Sequence, residues 1–159
     1  MKDNQEVSRW LRHAIAIAVE NVTKGGGPFG AVIVRNGELV AEGVNLVTLT
    51  HDATAHAEVT AIRQAGMALG THDLAGCDMY ASCEPCPMCL GAILWARMDR
   101  IWYAASKEQA AEAGFDDSLF YEQLVLPPEK RIIPTERALE GESAAPFTAW
   151  GRFCGKIRY

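Results

Sequence analysis

Three of the chain's five cysteines, Cys83, Cys86 and Cys89, fall at even spacing in SCEPCPMCLGA, residues 82–92. Sulfur at that density has three uses: a redox disulfide, a closed structural zinc site, or a metal that does chemistry. Cys86 and Cys89 form a C-x-x-C pair at the expected opening of a helix, whose positive end lowers a thiol's pKa and favours the thiolate that metals bind. A histidine beside a carboxylate in a similar setting would complete a ligand set, and TAHAEV supplies His56 with Glu58. His13, His51 and His72 have no such companion and suit surface or core places. Three ligands, His56, Cys86 and Cys89, leave one tetrahedral position open, where zinc lowers the pKa of water from about 16 to about 7. Glu58 lies two residues from His56, an offset that points the side chains apart, so it can take a proton from that water without binding the metal. The alternative is a closed site in which Cys83 joins the other three and leaves no room for water. At the buried end of a strand, Cys83 also fits as a small apolar residue, and Cys77 and Cys154 fit ordinary core or surface positions.

The elements that must hold these groups alternate along the chain. Val7, Leu11, Ala14, Ile15, Ala18, Val19 and Val22 recur at helical spacing, and KGGGPFG ends that helix near Thr23. FGAVIVR and LVAEGV flank Asn36-Gly37, a pair suited to a two-residue hairpin turn. Residues 54–69 then predict a helix, 77–82 a strand, 86–96 a helix and 100–105 a strand, the two strands short, buried and joined by parallel crossovers. Residues 107–124 suit a helix interrupted at Gly114, 130–136 a final strand and 142–159 a closing helix. The pattern is that of a three-layer α/β/α sandwich with a five-stranded mixed sheet.

Composition narrows the function. The 159 residues, 49% hydrophobic and 22% charged, suit one domain spanning 1–159. Charges interrupt MKDNQEVSRWLRHAIAIAVENV every few residues, so it offers neither a secretory core nor a membrane span, and a cytoplasmic place is expected. Thiols stay reduced there, and five is an odd number, which argues against a disulfide framework. A net charge of -5 and a pI near 5.4 make nucleic acid and anionic membranes poor partners. A small neutral substrate fits better.

His56-x-Glu58 and Pro85-Cys86-x-x-Cys89 together match the zinc-deaminase signature. At these residues the sequence resembles the cytidine-deaminase-like superfamily, and within it the small bacterial guanine deaminases. GGPFGAVIV, TAHAEVTAIR and SCEPCPMCLGAILWAR have close counterparts in tRNA adenosine deaminases as well, whereas AEAGFDDS and the terminal Tyr159 carry the choice of guanine. Relatives often have proline where Ala53 stands, a departure that touches only the entry to the 54–69 helix.

The resemblance implies hydrolytic deamination of guanine to xanthine and ammonia, with one Zn2+ per subunit. A zinc-bound hydroxide would attack C2 while Glu58 shuttles the proton to a ring nitrogen and later to the departing amine. Backbone donors near Ala57 and Cys86 would help stabilise the tetrahedral intermediate. It further implies that Asn45, Ala57, Asp117 and Tyr159 contact the purine, with Phe29 against its face. A homodimer is implied too, in which a C-terminal segment of about residues 143–159 is a candidate for exchange between subunits. Phe147, Trp150, Phe153, Ile157 and Tyr159 are its apolar anchors. Two other readings remain at this point. One is a tRNA adenosine deaminase or another nucleobase deaminase. Against a tRNA substrate stand the acidic pI and a tail offering only Arg152, Lys156 and Arg158. The other is a non-catalytic zinc-stabilised interaction module, which would have no use for Glu58.

Overall fold

The computed structural model describes residues 3–158, so Met1, Lys2 and the expected purine contact Tyr159 lie outside the described residues. Helix α1 (Asn4–Thr23) starts where the Asp3 carboxylate accepts the Gln5 amide at 3.1 Å, satisfying a donor that the first turn would otherwise leave open. Its buried face is Trp10, Ala14, Ala18 and Asn21. That is a rotation from the expected stripe, since Ile15, Val19 and Val22 are exposed.

Strands β1 (Gly30–Arg35) and β2 (Glu38–Val44) form the expected antiparallel hairpin. Asn36 and Gly37 both take positive φ, 53° and 81°, as a two-residue turn matched to strand twist requires. A short helix α2 (Val47–Thr50), absent from the sequence-based expectation, follows and ends at His51 in the left-handed conformation. Helix α3 (Ala57–Leu69) leads to β3 (Cys77–Cys83), and helix α4 (Pro87–Trp95) to β4 (Arg100–Ala105).

The sheet order is β2-β1-β3-β4. β3 pairs antiparallel with β1 and parallel with β4, so α4 makes a crossover between neighbours. By the same pairings β2 and β3 run in one direction with β1 between them, and α3 crosses over that central strand. Along β1 the side chains alternate, as a pleated strand buried on both faces must. Val32 and Val34 join Trp10, Ala14 and Tyr80 under α1, while Ala31 and Ile33 join Ala61, Ala65, Met79 and Ile93 under α3 and α4. Helices thus cover both faces, giving the expected three layers.

The sheet departs from expectation in two respects. The sheet has four strands among the described residues rather than five. Residues 130–136, expected as the final strand, hold none; Pro134 within them has no amide to give a ladder, and Ile132 and Ile133 are exposed. Nor is β4 buried: as an edge strand, paired in this sheet with β3 only, it exposes Arg100, Tyr103 and Ala104.

The chain divides into two compact units, the first ending at Asp117 and the second beginning at Ser118. Helix α5 (Lys107–Glu112) closes the first unit, and the break expected at Gly114 lies there, with φ +93°. The second holds α6 (Ser118–Leu124), a 3-10 turn at Pro128–Lys130 and α7 (Ala145–Arg152). α7 is much shorter than the expected 142–159 helix, because Phe153 turns to extended backbone and Gly155 follows.

Candidate metal centre and active site

Two helix starts converge to make the site. His56 is the N-cap of α3 (φ -67°, ψ 158°) and Cys86 the N-cap of α4 (φ -64°, ψ 168°), both extended. Pro87 follows Cys86 at the head of α4, where a missing amide costs no helix bond. Cys89 is fully buried in the first turn of α4. The approach to His56 is held by Asp52, whose Oδ1 accepts from the Thr54 amide at 2.8 Å and from its hydroxyl at 2.7 Å. These bonds hold the Asp52 carboxyl below its ordinary pKa.

The helix that carries this site sits unusually close to the sheet. A Cβ on Gly43 of β2 would lie 2.3 Å from the Ala57 carbonyl oxygen and 2.4 Å from the Ala61 nitrogen. Only glycine lets the start of α3 approach β2 that closely.

His56, Cys86 and Cys89 are brought together as one donor group, with all three ligand atoms within 4.8 Å of one another. His56 Nδ1 lies 3.6 Å from Cys86 Sγ and 3.5 Å from Cys89 Sγ. A tetrahedral zinc with Zn–N near 2.05 Å and Zn–S near 2.3 Å sets N and S about 3.6 Å apart. The spacing and the borderline-soft donor set both fit Zn2+ with one position left over. Cys83 is not in the group: it is buried, and its Sγ–H donates to the Ser106 carbonyl at 3.7 Å. The closed four-ligand arrangement is therefore not the one the fold builds.

Electrostatics separate the roles. Cys86 is held well below the ordinary thiol pKa, first by its hydrogen bond with Cys89 and then by His56. Cys89, the donor in that bond and buried, is pushed up. His56 is raised, chiefly by its hydrogen bond with Cys86. Burial pushes the Cys83 thiol up to about 11. Glu58 is buried in the first turn of α3, outside the donor group, with Oε2 3.4 Å from Cys89 Sγ. Desolvation raises its pKa, the direction that lets a carboxyl both take and return a proton near neutrality.

The residues expected at the purine lie on neighbouring elements of the first unit. Asn45 is buried just past β2, with Oδ1 accepting the Val47 backbone N–H at 3.2 Å and its own backbone N–H donating to the Phe29 carbonyl at 3.1 Å. Phe29, half-buried, meets Phe115 edge-on with ring centroids 4.9 Å apart. Ala57 opens α3 and is buried. Asp117 is half-buried, and burial, then the charge of Cys86, raise its pKa.

One supporting residue escapes sequence reasoning. Asn21 is buried on α1, and its Nδ2 donates to the carbonyls of Gly27 and Asn45, at 2.8 Å each. It thereby pins the glycine loop to the end of β2. The available signal was an amide at a stripe position, three residues after Ala18 on the same helical face as Trp10 and Ala14.

Comparison with known proteins agrees with this geometry. Residues 4–105 match the family model for the cytidine and deoxycytidylate deaminase zinc-binding region. The chain is 53% identical over 151 residues to guanine deaminase of Bacillus subtilis (strain 168), covering 94% of this chain and 97% of that protein. The X-ray structure of guanine deaminase from Bacillus subtilis superposes with a TM-score of 0.94 at 50% identity, covering 99% of each chain. A tRNA-specific adenosine deaminase of Bacillus subtilis (strain 168) is 37% identical over 114 residues, 72% of this chain and 71% of that one. The likeness to guanine deaminase thus runs through the C-terminal unit and not only through the zinc-binding region. The chain belongs to the zinc-binding cytidine and deoxycytidylate deaminase family, on its guanine deaminase branch.

Proposed function

We propose that the protein hydrolyses guanine to xanthine and ammonia. The observation that carries this reading is Glu58, a buried carboxyl with a raised pKa beside a three-donor metal group that has one position to spare. A structural zinc site has no use for such a neighbour. The near full-length likeness to a guanine deaminase supports guanine as the base.

In this reading His56, Cys86 and Cys89 hold the zinc. When bound, zinc supplies Lewis-acid chemistry, lowering the pKa of water to about 7. Glu58 accepts a proton from the attacking water and delivers it to a ring nitrogen, then takes the remaining proton of the hydroxyl added at C2 and gives it to the amine, which leaves as ammonia while C2 becomes a carbonyl. Water adds and ammonia departs, so the atoms balance. Ala57, at the amide-rich start of α3, offers backbone donors to the oxygen that develops at C2. Asn45 and Asp117 hydrogen-bond the purine edge, and Phe29 packs on its face. Asp117 accepts purine N–H groups.

The protein acts in the cytoplasm as a homodimer and serves purine breakdown. Exposed Leu90, Leu94 and Trp95 on α4 support a partner surface, as do exposed Phe147, Trp150, Phe153 and Ile157 in the second unit. Residues 143–159 are exchanged between subunits, bringing Tyr159 to the neighbour's purine. Refolding a Glu58→Gln chain with a tail-truncated chain tests the exchange through recovery of activity. Ammonia release measured across guanine, adenine, cytosine, guanosine and a tRNA anticodon stem tests the substrate. Turnover confined to guanine is expected, and preference for the tRNA stem would overturn the reading.

A further inference from the structure

Glu84 is the acidic residue of the metal-donor stretch that the chemistry above leaves unused. It stands between β3 and Cys86, and its Oε2 accepts the amide of Lys107, the first residue of α5, at 3.4 Å. Its own amide donates to the Ala105 carbonyl at 2.9 Å. Next to it, Cys83 Sγ donates to the Ser106 carbonyl at 3.7 Å. Residues 83–84 are thus joined to 105–107 by three consecutive links, and a carboxylate at the start of a helix is also favoured by the helix dipole.

What begins at Ser106 is stiff at both ends. Ser106 and Gln109 form a reciprocal capping box: the Gln109 amide donates to Ser106 Oγ at 3.4 Å and the Ser106 amide to Gln109 Oε1 at 3.0 Å. At the other end the Gly114 amide donates to Ala111 O and the Phe115 amide to Ala110 O, each at 2.9 Å. That is a Schellman closure, with Gly114 in the positive-φ position that it requires. Phe115 then meets Phe29, and Asp117 follows two residues later. A helix closed at both ends moves as one piece, so the anchoring of its start fixes where its far end lies.

We propose that Glu84 is a positioning residue for base recognition. By clasping the start of α5 to the metal-donor loop, it sets where Asp117 stands relative to His56, Cys86 and Cys89, and it does so without touching the purine. The inference rests on the reading of Asp117 as a purine contact. A misplacement of about 1 Å in such a contact can cost up to about a hundredfold.

The test is steady-state kinetics on guanine, with zinc content measured alongside. Glu84→Ala is expected to lower kcat/KM about tenfold or more through KM, with kcat within about threefold and zinc unchanged. Glu84→Gln keeps an acceptor oxygen and should stay within about twofold of the parent. Lys107→Pro removes the backbone N–H that donates to Glu84. Proline suits the first helical position, and Ser106 ahead of it is already extended (φ -82°, ψ 165°), so α5 survives the change. Lys107→Pro should therefore match Glu84→Ala, while Lys107→Ala, which keeps the N–H, should not; the proline variant also decides the matter if Glu84→Ala does not fold. On an Asp117→Asn background, Glu84→Ala should add less than about twofold, because both act through one contact. Parental KM in both Glu84→Ala and Lys107→Pro, or full additivity with Asp117→Asn, overturns the role of Glu84. If Asp117→Asn alone leaves guanine kinetics unchanged, the reading of Asp117 fails instead.

Discussion

Glu58 Oε2 lies 3.4 Å from Cys89 Sγ, both side chains buried, although the two residues belong to different helices. The carboxyl is therefore beside the metal group without being part of it. Glu58→Gln should keep fold and zinc and lower kcat by about 10²–10⁴-fold or more, since each proton transfer uses this one group. Steady-state kinetics with zinc analysis checks it, and activity within tenfold of the parent would remove Glu58 from the chemistry.

Cys83 and Cys86 are three residues apart yet differ in what they touch: Cys86 faces His56, and Cys83 faces the Ser106 carbonyl. Cys83→Ala should retain one zinc per chain, whereas Cys86→Ala should lose it. Equal loss in the two variants would mean that Cys83 is a fourth ligand.

If Asp117 accepts a purine N–H as proposed, Asp117→Asn should reduce guanine kcat/KM by about a hundredfold or more while leaving thermal stability near the parent's, because the substrate N–H is left mismatched. Thermal melts beside kinetics separate the outcomes. Losses of stability and activity in equal measure would assign Asp117 to structure.

Gly43→Ala should destabilise the fold by about 1–3 kcal/mol and weaken zinc retention, because the new methyl drives the start of α3 off the sheet. The nearest atoms, Ala57 O at 2.3 Å and Ala61 N at 2.4 Å, are backbone and cannot rotate away. Urea unfolding with zinc analysis measures both effects, and parental values for both would show that α3 can shift freely.

Local chemistry was legible in the sequence and tertiary placement was not. Asn36-Gly37 forces its turn through the φ that both residues tolerate, and His56 and Cys86 declare themselves because residues at helix starts point outward from the first turn. The rotated face of α1 was hidden, since Ile15 and Val19 are as apolar as Ala14 and Ala18, and only the sheet decides which side is covered. The strand expected at 130–136 failed for a related reason: an apolar pair such as Ile132-Ile133 makes a strand only when a partner edge receives it, and Pro134 spoils the ladder. The bonds from Glu84 to Lys107 and from Asn21 to Asn45 were hidden because the partners lie 23 and 24 residues apart in sequence.

The sheet order has a consequence for how the chain matures. β1 is central, yet it first pairs with its neighbour in sequence, β2, whereas its pairing with β3 closes a gap that includes all of α3. Until that gap closes, the chain from the hairpin through α3 offers one metal donor, His56, because both sulfur donors come after β3. Zinc capture therefore reports closure of the β1–β3 seam. On a nascent chain the donor set is whole once α4 has begun, before β4 and the second unit are made, and in partial denaturant metal release should coincide with opening of the β1–β3 seam rather than with fraying at the outer strands.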